Sequence, residues 1–345
     1  MRVSVVVLGS GPTAVFAVDF LARRGVKAVL VGEFQEVSIL PVPTPDGPVS
    51  LLPVFPTLPP PAYPPSSPTN VALAVRRVGS SKWIREARSS PDSLVCSLRP
   101  DWDAAAMAVK QFGTRSLSAP LDQVQEKRRR AYSGTPAKRA GYIQGLSPYL
   151  EPMREAIRQR DMLPQAVRRW SPHDHLIELT KSLGAIEYER LIYVGDLRQL
   201  VEHIGAEVEL PQRAAAAFST FVSDLPLVSN QLVYDLDEDS GIFRSFTATT
   251  RVVVVQESQM KVGRDPESAL ADRASSTFQC HLRPFGDRLV HSTAYPVESL
   301  AAASDQLLTA ACSKLDILRF GRNAANRYVD LHELDWEEIY TWTTK

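Results

Sequence analysis

An α/β fold, in which a parallel sheet wound by helices carries an interleaved mixed-sheet domain and a helical insertion, is predicted by three features of the sequence. Residues 3–8 (VSVVVL) form a nearly continuous β-branched run, the pattern of a strand buried on both faces. Gly9-Ser10-Gly11-Pro12-Thr13-Ala14 follows at once, and Ala14, Val15, Ala17, Val18, Phe20 and Leu21 then recur at helical spacing. Beyond residue 185 the chain changes to strand-like segments rich in β-branched and aromatic residues.

The helix that opens at the glycine turn stops at Arg23-Arg24-Gly25, and Ala28 to Val31 supplies the next strand, which closes one βαβ unit. From Pro41 to Pro68 the composition shifts, with 12 of the 26 prolines in this stretch. Such a run lacks the donors for a helix or a central strand and reads as an extended loop, with Leu51, Leu52, Val54, Phe55 and Leu58 interleaved for packing. Residues 103–170 read as mainly helical, broken near Gly113, Pro120, Gly134 and Pro148. Within them Lys127-Arg128-Arg129-Arg130 is a solvated helix face before it is a phosphate site. His173-Asp174-His175 has HxH spacing, but a loop leading to a helix start at Asp174 explains it without a metal.

Strands are expected at Leu191 to Val194, Gln231 to Tyr234, Gly241 to Thr247, Arg251 to Gln256 and Phe278 to Leu282, and helices around 298–315 and 330–343. The expected domains are a discontinuous dinucleotide-binding domain of residues 1–100 and 298–345, a helical insertion of 101–185 and a mixed-sheet substrate domain of 186–297.

Composition narrows the function classes. The 345 residues can bury a substantial core, and 39 basic against 39 acidic side chains give no field that would draw the chain to nucleic acid or an anionic membrane. Cys96, Cys280 and Cys312 are too few and too far apart for a disulfide framework or a CxxC metal knuckle. No run approaches the roughly 20 apolar residues of a membrane span, and the N-terminal run lacks a cleavage site. A cytoplasmic enzyme with reduced thiols is the expectation.

Chemistry enters with the glycine turn. Gly9 permits the tight turn, Gly11 lets the backbone approach a pyrophosphate, and Ala14 allows close helix–strand packing, while Ser10, Pro12 and Thr13 complete the cradle. The helix start adds free amides and the positive end of the helix dipole. Strand, turn and helix together specify a Rossmann-like FAD/NAD(P)-binding domain. FAD is the expected cofactor, and GxGxxA alone leaves NAD(P) open. The acid that would accept the ribose hydroxyls is Glu33, one position beyond Gly32, where the count from Gly9 places it.

Further blocks recur in order along the chain. Tyr193-Val-Gly195-Asp196-Leu197-Arg198, followed by Gly205, resembles the YTGxxD segment of UDP-galactopyranose mutases. Gly321-Arg322-Asn-Ala-Ala-Asn-Arg327-Tyr328-Val-Asp330-Leu331 looks like their closing GRxxxYRYxDM block. Between them, the segment from Val233 to Phe243-Arg244 is similar to the strand and turn that bring an arginine toward substrate in those mutases and in amine-oxidase-like relatives, and Ala294-Tyr295-Pro296 is similar to their EYP strand.

The resemblance implies a divergent flavoprotein of the group that includes these mutases, protoporphyrinogen oxidase and the amine oxidases. By position, Gly321, Arg322, Asp330 and Leu331 would lie near the flavin, and Arg244 and Tyr328, with Tyr193, would meet a diphosphate or other anionic substrate. An arginine fork pairs bidentately with phosphate and a tyrosine hydroxyl adds a directional donor. The chain departs from the family where Glu33-Phe-Gln-Glu-Val-Ser replaces a paired-glycine segment and Arg198 replaces the second acid of YTGxxD. A mutase-like scaffold with altered chemistry follows.

The expected function is therefore an FAD-dependent enzyme, an oxidoreductase or a sugar-nucleotide mutase, acting on a small polar metabolite, with phosphorylated and nucleotide-linked compounds among the candidates. Two alternatives stand beside it: an amine-oxidase-like enzyme that oxidises a C–N bond, and a non-catalytic binding protein on a decayed flavin scaffold with the proline-rich segment as its docking strip. A homo-oligomer is compatible with either. No general acid or base stands out, and His203, His281 and His291 read as packing or surface residues. In flavin enzymes the cofactor performs the hard step, so that silence does not argue against catalysis.

Overall fold

A computed structural model describes residues 1–9, 12–32, 41–42, 49–50, 72–76, 162–163, 167–180, 184–210, 213–228, 231–235, 240–258, 265–296, 300–326 and 334–345. In chain order these form β1 (Arg2–Leu8), α1 (Pro12–Arg23), β2 (Ala28–Val31), β3 (Pro41–Val42), β4 (Val49–Ser50), β5 (Ala72–Arg76), β6 (Met162–Leu163), β7 (Val167–Ser171), β8 (Leu176–Leu179) and β9 (Ala185–Tyr193). There follow α2 (Leu197–Ile204), β10 (Arg213–Ser223), β11 (Gln231–Asp235), β12 (Ile242–Thr247), β13 (Val252–Glu257), α3 (Glu267–Phe278), β14 (Leu282–Pro284) and β15 (Leu289–Pro296). The chain closes with α4 (Ala302–Lys314), β16 (Ile317–Arg319), the single turn α5 (Gly321–Ala324) and α6 (Trp336–Thr344).

Two seven-stranded sheets organise these elements. The first runs β6-β2-β1-β9-β8-β7, with β16 also on β9. In it β6, β2, β1, β9 and β16 are parallel, and β7 and β8 are antiparallel additions. The continuous apolar run of β1 has a simple cause, because both faces are covered. Val5 and Val7 pack toward α1 and α6, where Phe16, Phe20, Phe320 and Trp336 form one aromatic cluster. Val6 and Leu8 pack on the opposite side with Leu197, Leu200 and Ile204 of α2 and Leu308 and Cys312 of α4. Arg24 fixes the C-terminal end of α1 to α6 by pairing with Glu337 and lying over the rings of Phe20 and Tyr340.

The second sheet runs β14-β10-β13-β12-β11-β5, with β15 also on β10. Its pairings are antiparallel except for β5 beside β11. Helix α3 covers one face by packing Leu270, Ala271 and Ala274 on Phe221, Val253 and Val255. Two arginines are held by buried carboxylates in this lobe. Arg273 forks onto Asp235 at 2.8 and 3.1 Å, and Arg288 pairs with Glu257 through both oxygens.

The α/β class with a mixed-sheet second domain is as expected, but several assignments change. Strand β9, placed by sequence in the substrate domain, pairs with β1 from Arg2↔Glu187 to Leu8↔Tyr193 and so belongs to the first sheet. Strand β5, placed by sequence in the first domain, completes the second sheet. Strand propensity marks a segment as a strand without saying which sheet receives it. Residues 167–179, expected to be largely insertion, are the β7–β8 hairpin of the first sheet. At its tip Pro172–Asp174 make one 3₁₀ turn and His175 takes φ 50°, so Asp174 leads into a strand and starts no helix. Phe278 is likewise the last residue of α3, and the strand there is confined to Leu282–Pro284.

Of the proline-rich segment, Pro41–Val42 and Val49–Ser50 pair as a short antiparallel ladder. Residues 101–161, with Lys127 to Arg130, lie outside the described residues. No helix among the described residues is long and apolar enough to cross a membrane.

Candidate functional site

Strands β2, β1, β9 and β16 finish level with one another. Leu8 pairs with Val31 on one side and with Tyr193 on the other, and Tyr193 pairs in turn with Arg319. From β1 the chain crosses through α1 to β2 on one side, while β9 lies on the other. This is the topological switch point at the carboxyl ends of the strands, where open α/β sheets bind ligands.

The glycine turn leaves β1 into that crevice. Gly9 donates its N–H to Val31 O at 3.0 Å. A Cβ on Gly9 would lie 3.2 Å from both Gly195 N and Val194 C, and its φ of +147° is one that side chains disfavour. Helix α1 opens on Pro12, whose missing N–H costs nothing at a first helical position. Its first turn carries no acidic residue and its last carries Arg23, so the positive dipole end is left for an anion. Ala14 is fully buried, as its role in close packing requires.

The closing block reaches the same place from the other end of the chain. A Cβ on Gly321, at φ +87°, would lie 2.9 Å from Thr13 Cγ2 and 3.3 Å from Val194 Cγ1. The structure thus brings together Gly9, Thr13, Val194, Gly195 and Gly321, from three segments far apart in sequence. Arg322 stands beside Gly321 in α5, which lies against β15 and so joins this rim to the second sheet.

Tyr193, expected to meet the substrate, packs into the core of the first sheet. It is 3% exposed, stacks on Trp170 at 5.3 Å and donates its hydroxyl to Asp196 O at 2.8 Å. The ring is packed at the end of β9. Gly195 is glycine for the same reason, because its Cβ would lie 2.6 Å from the Tyr193 hydroxyl. Asp196 caps α2 by accepting from Arg198 N at 2.7 Å. An aspartate just before a periodic apolar run carries that signal in the sequence. Nearby, Trp170 Nε1 donates to Tyr188 Oη at 3.0 Å. Burial pushes the Tyr188 phenol up to about 12, against a smaller lowering by Trp170.

Arg244 lies on β12 in the middle of the second sheet, in register with Tyr234 of β11 and Gln256 of β13. Its Nε donates to Gln256 Oε1 at 2.7 Å, and Gln256 is fully buried. An uncharged glutamine in an apolar strand gives no sequence signal, and Gln256 was not foreseen. Ser10, Gly11, Glu33, Tyr328, Asp330 and Leu331 lie outside the described residues. Among the described residues no group of three or more His, Cys, Asp or Glu side chains is placed to hold a metal ion. His175 instead stacks on Tyr188 at 5.2 Å with Nδ1 3.2 Å from Tyr188 O.

No protein-family model matches the chain, and no curated protein matches it in sequence. Solved structures do. Reduced UDP-galactopyranose mutase superposes with a TM-score of 0.63 at 12% identity, over 99% of this chain and 94% of that one. The CLA-producing fatty acid isomerase from P. acnes gives 0.62 at 8% identity, over 99% and 97%. Cyclohexylamine oxidase from Brevibacterium oxydans IH-35A gives 0.59 at 12% identity, over 100% and 98%. The fold of this chain is the one shared by the mutase-like and amine-oxidase-like proteins that its motifs resemble.

Proposed function

We propose that the chain is an FAD-dependent enzyme acting on a small polar metabolite, with a mutase-like scaffold and altered chemistry. The observation that carries this reading is the meeting of the two ends of the chain. The glycine turn of β1–α1 and the Gly321-Arg322 block converge at the carboxyl rim of a parallel sheet, with contacts that only glycine permits. That cradle fits a dinucleotide, because the close approach leaves backbone in place of side chains and the α1 dipole favours the pyrophosphate.

In this reading Gly9, Ser10, Gly11, Pro12, Thr13 and Ala14 hold the pyrophosphate, and Glu33 meets the adenosine ribose. Gly321, Arg322, Asp330 and Leu331 flank the flavin end, while Arg244 and Tyr328 meet an anionic group of the substrate. FAD, when bound, would supply the electron-accepting or nucleophilic ring that the side chains themselves lack. The protein's task is then to orient substrate and to exclude water, for which a half-buried Arg244 held by the buried Gln256 on a sheet strand is suited.

An absorbance scan of the purified protein, before and after denaturation, tests the proposal. Flavin bands that shift to those of free FAD on unfolding are the expected result. A colourless protein that takes up no FAD on soaking would refute it, and nicotinamide absorbance alone would replace FAD by NAD(P). With flavin present, bleaching by an amine and peroxide release on reoxidation would mark an amine oxidase. Turnover of a sugar nucleotide only after dithionite reduction would mark a mutase.

A further inference from the structure

Strand β2 ends at Val31, and the next residue stands where dinucleotide-binding folds place the ribose acid. That residue is Gly32, and the structure shows why no side chain is found there. A Cβ on Gly32 would lie 2.3 Å from the carbonyl oxygen of Gly9 and 2.8 Å from its carbonyl carbon. Both obstructing atoms are backbone, so no rotamer change relieves the overlap.

The contact has a second half. Gly9 also donates its N–H to Val31 O at 3.0 Å, and its own open side meets Gly195 N and Val194 C at 3.2 Å from the position a Cβ would take. Gly9 is therefore held by β2 through its amide, with Gly32 leaving room for its carbonyl and the end of β9 closing its remaining side. Main-chain donors recognise a diphosphate best when aimed before the ligand arrives, since ordering them afterwards weakens binding.

We infer that Gly32 is a positioning residue of the dinucleotide site. Its missing side chain leaves room for the Gly9 carbonyl beside the end of β2, and so sets the path by which the chain leaves β1 toward the diphosphate of the ligand. Residue 32 consequently brings no carboxylate to the ribose, and the diphosphate carries most of the recognition at this end of the site. The inference rests on the dinucleotide reading above, and a wild-type binding measurement separates the two.

The test titrates FAD into the apoprotein and follows quenching of flavin fluorescence, for the wild type and for Gly32→Ala, Gly32→Glu and Gly25→Ala. Gly25 is the control, since its φ of +77° strains any side chain but nothing lies within 4 Å of its Cβ position. Gly32→Ala is expected to raise the Kd for FAD by at least about tenfold with the far-ultraviolet circular dichroism retained, and Gly32→Glu by more, although it restores an acid. Gly25→Ala is expected to lower Tm while leaving the Kd within about twofold.

Either Gly32 variant binding FAD as tightly as the wild type would overturn the inference, as would an equal loss in Gly25→Ala. A competition on the wild type needs no variant to fold: ADP should displace FAD at least about tenfold more effectively than adenosine, and equal potency would also overturn it. Wild-type apoprotein that takes up neither FAD nor a nicotinamide dinucleotide would refute the dinucleotide reading itself, and the role of Gly32 with it.

Discussion

The two sheets hold their close-packed positions by different means. At the rim of the first sheet the fit is made by absent side chains: Gly9, Gly32 and Gly321 each occupy a place where a Cβ would meet a neighbouring segment. In the second sheet it is made by charged and polar side chains, with Asp235 on Arg273, Glu257 on Arg288 and Gln256 on Arg244. A site built from backbone leaves a spaced motif in the sequence, because glycine has few substitutes there. A site built from side-chain pairs leaves almost none, because its partners are set by strand register and lie far apart in the chain.

The difference can be broken from either side. Glu257 is buried and Arg288 only part-exposed, so Glu257→Ala leaves a cation without its partner. A loss of about 3 kcal/mol is expected as a fall in the urea midpoint, and an unchanged midpoint would show that the second sheet does not depend on its ion pairs. Gly321→Ala pushes a methyl group against Thr13 and Val194 at a strained φ. It should cost about 2 kcal/mol and release flavin from the folded protein, whereas full flavin retention would show that the rim tolerates a side chain.

Smaller effects sharpen the contrast. Arg244→Ala should weaken UDP, as a diphosphate probe measured by flavin perturbation, by about 1.5–3 kcal/mol, with the flavin spectrum of the free enzyme unchanged. Unaltered UDP binding would remove Arg244 from the substrate site. The smallest effect concerns pH. Tyr188 is raised to about 12 in the folded chain, so above the ordinary phenol value of about 10 the unfolded state has lost a proton that the native state still holds. Its contribution is fully present below pH 10 and is lost as pH rises toward 12. Tyr188→Phe should flatten the alkaline fall in stability across that window, and an unaltered slope would place the cause elsewhere.

Legibility in the sequence followed the same divide. The β1–α1–β2 unit was readable to within a residue or so because a doubly buried strand, a glycine turn and a periodic helix all signal locally. The strand character of β9 was equally plain, yet its pairing with β1 was not, because sheet membership is a long-range property. Helix α3, ESALADRASSTF, was missed because its apolar stripe is mostly alanine and gives little periodic contrast. Tyr193 was assigned to the substrate because the motif it resembles carries it, while its stacking on Trp170 depends on a hairpin that the sequence disguised as insertion. Glu33 was read as a ribose acid displaced by one position, with Gly32 in the expected place. The reason for the displacement, a carbonyl 2.3 Å from where its Cβ would be, exists only in three dimensions.

Strand β16 and helix α6 bear on how the molecule is made. Strand β16 extends the parallel sheet beside β9, and α6 supplies Trp336 and Ile339 to the cluster over β1. During synthesis the earliest strand and its helix therefore emerge long before the residues that complete their cover. Until then they present bare apolar surface to the cell, and maturation depends on contacts of large sequence separation, the kind that form slowly and favour help from chaperones.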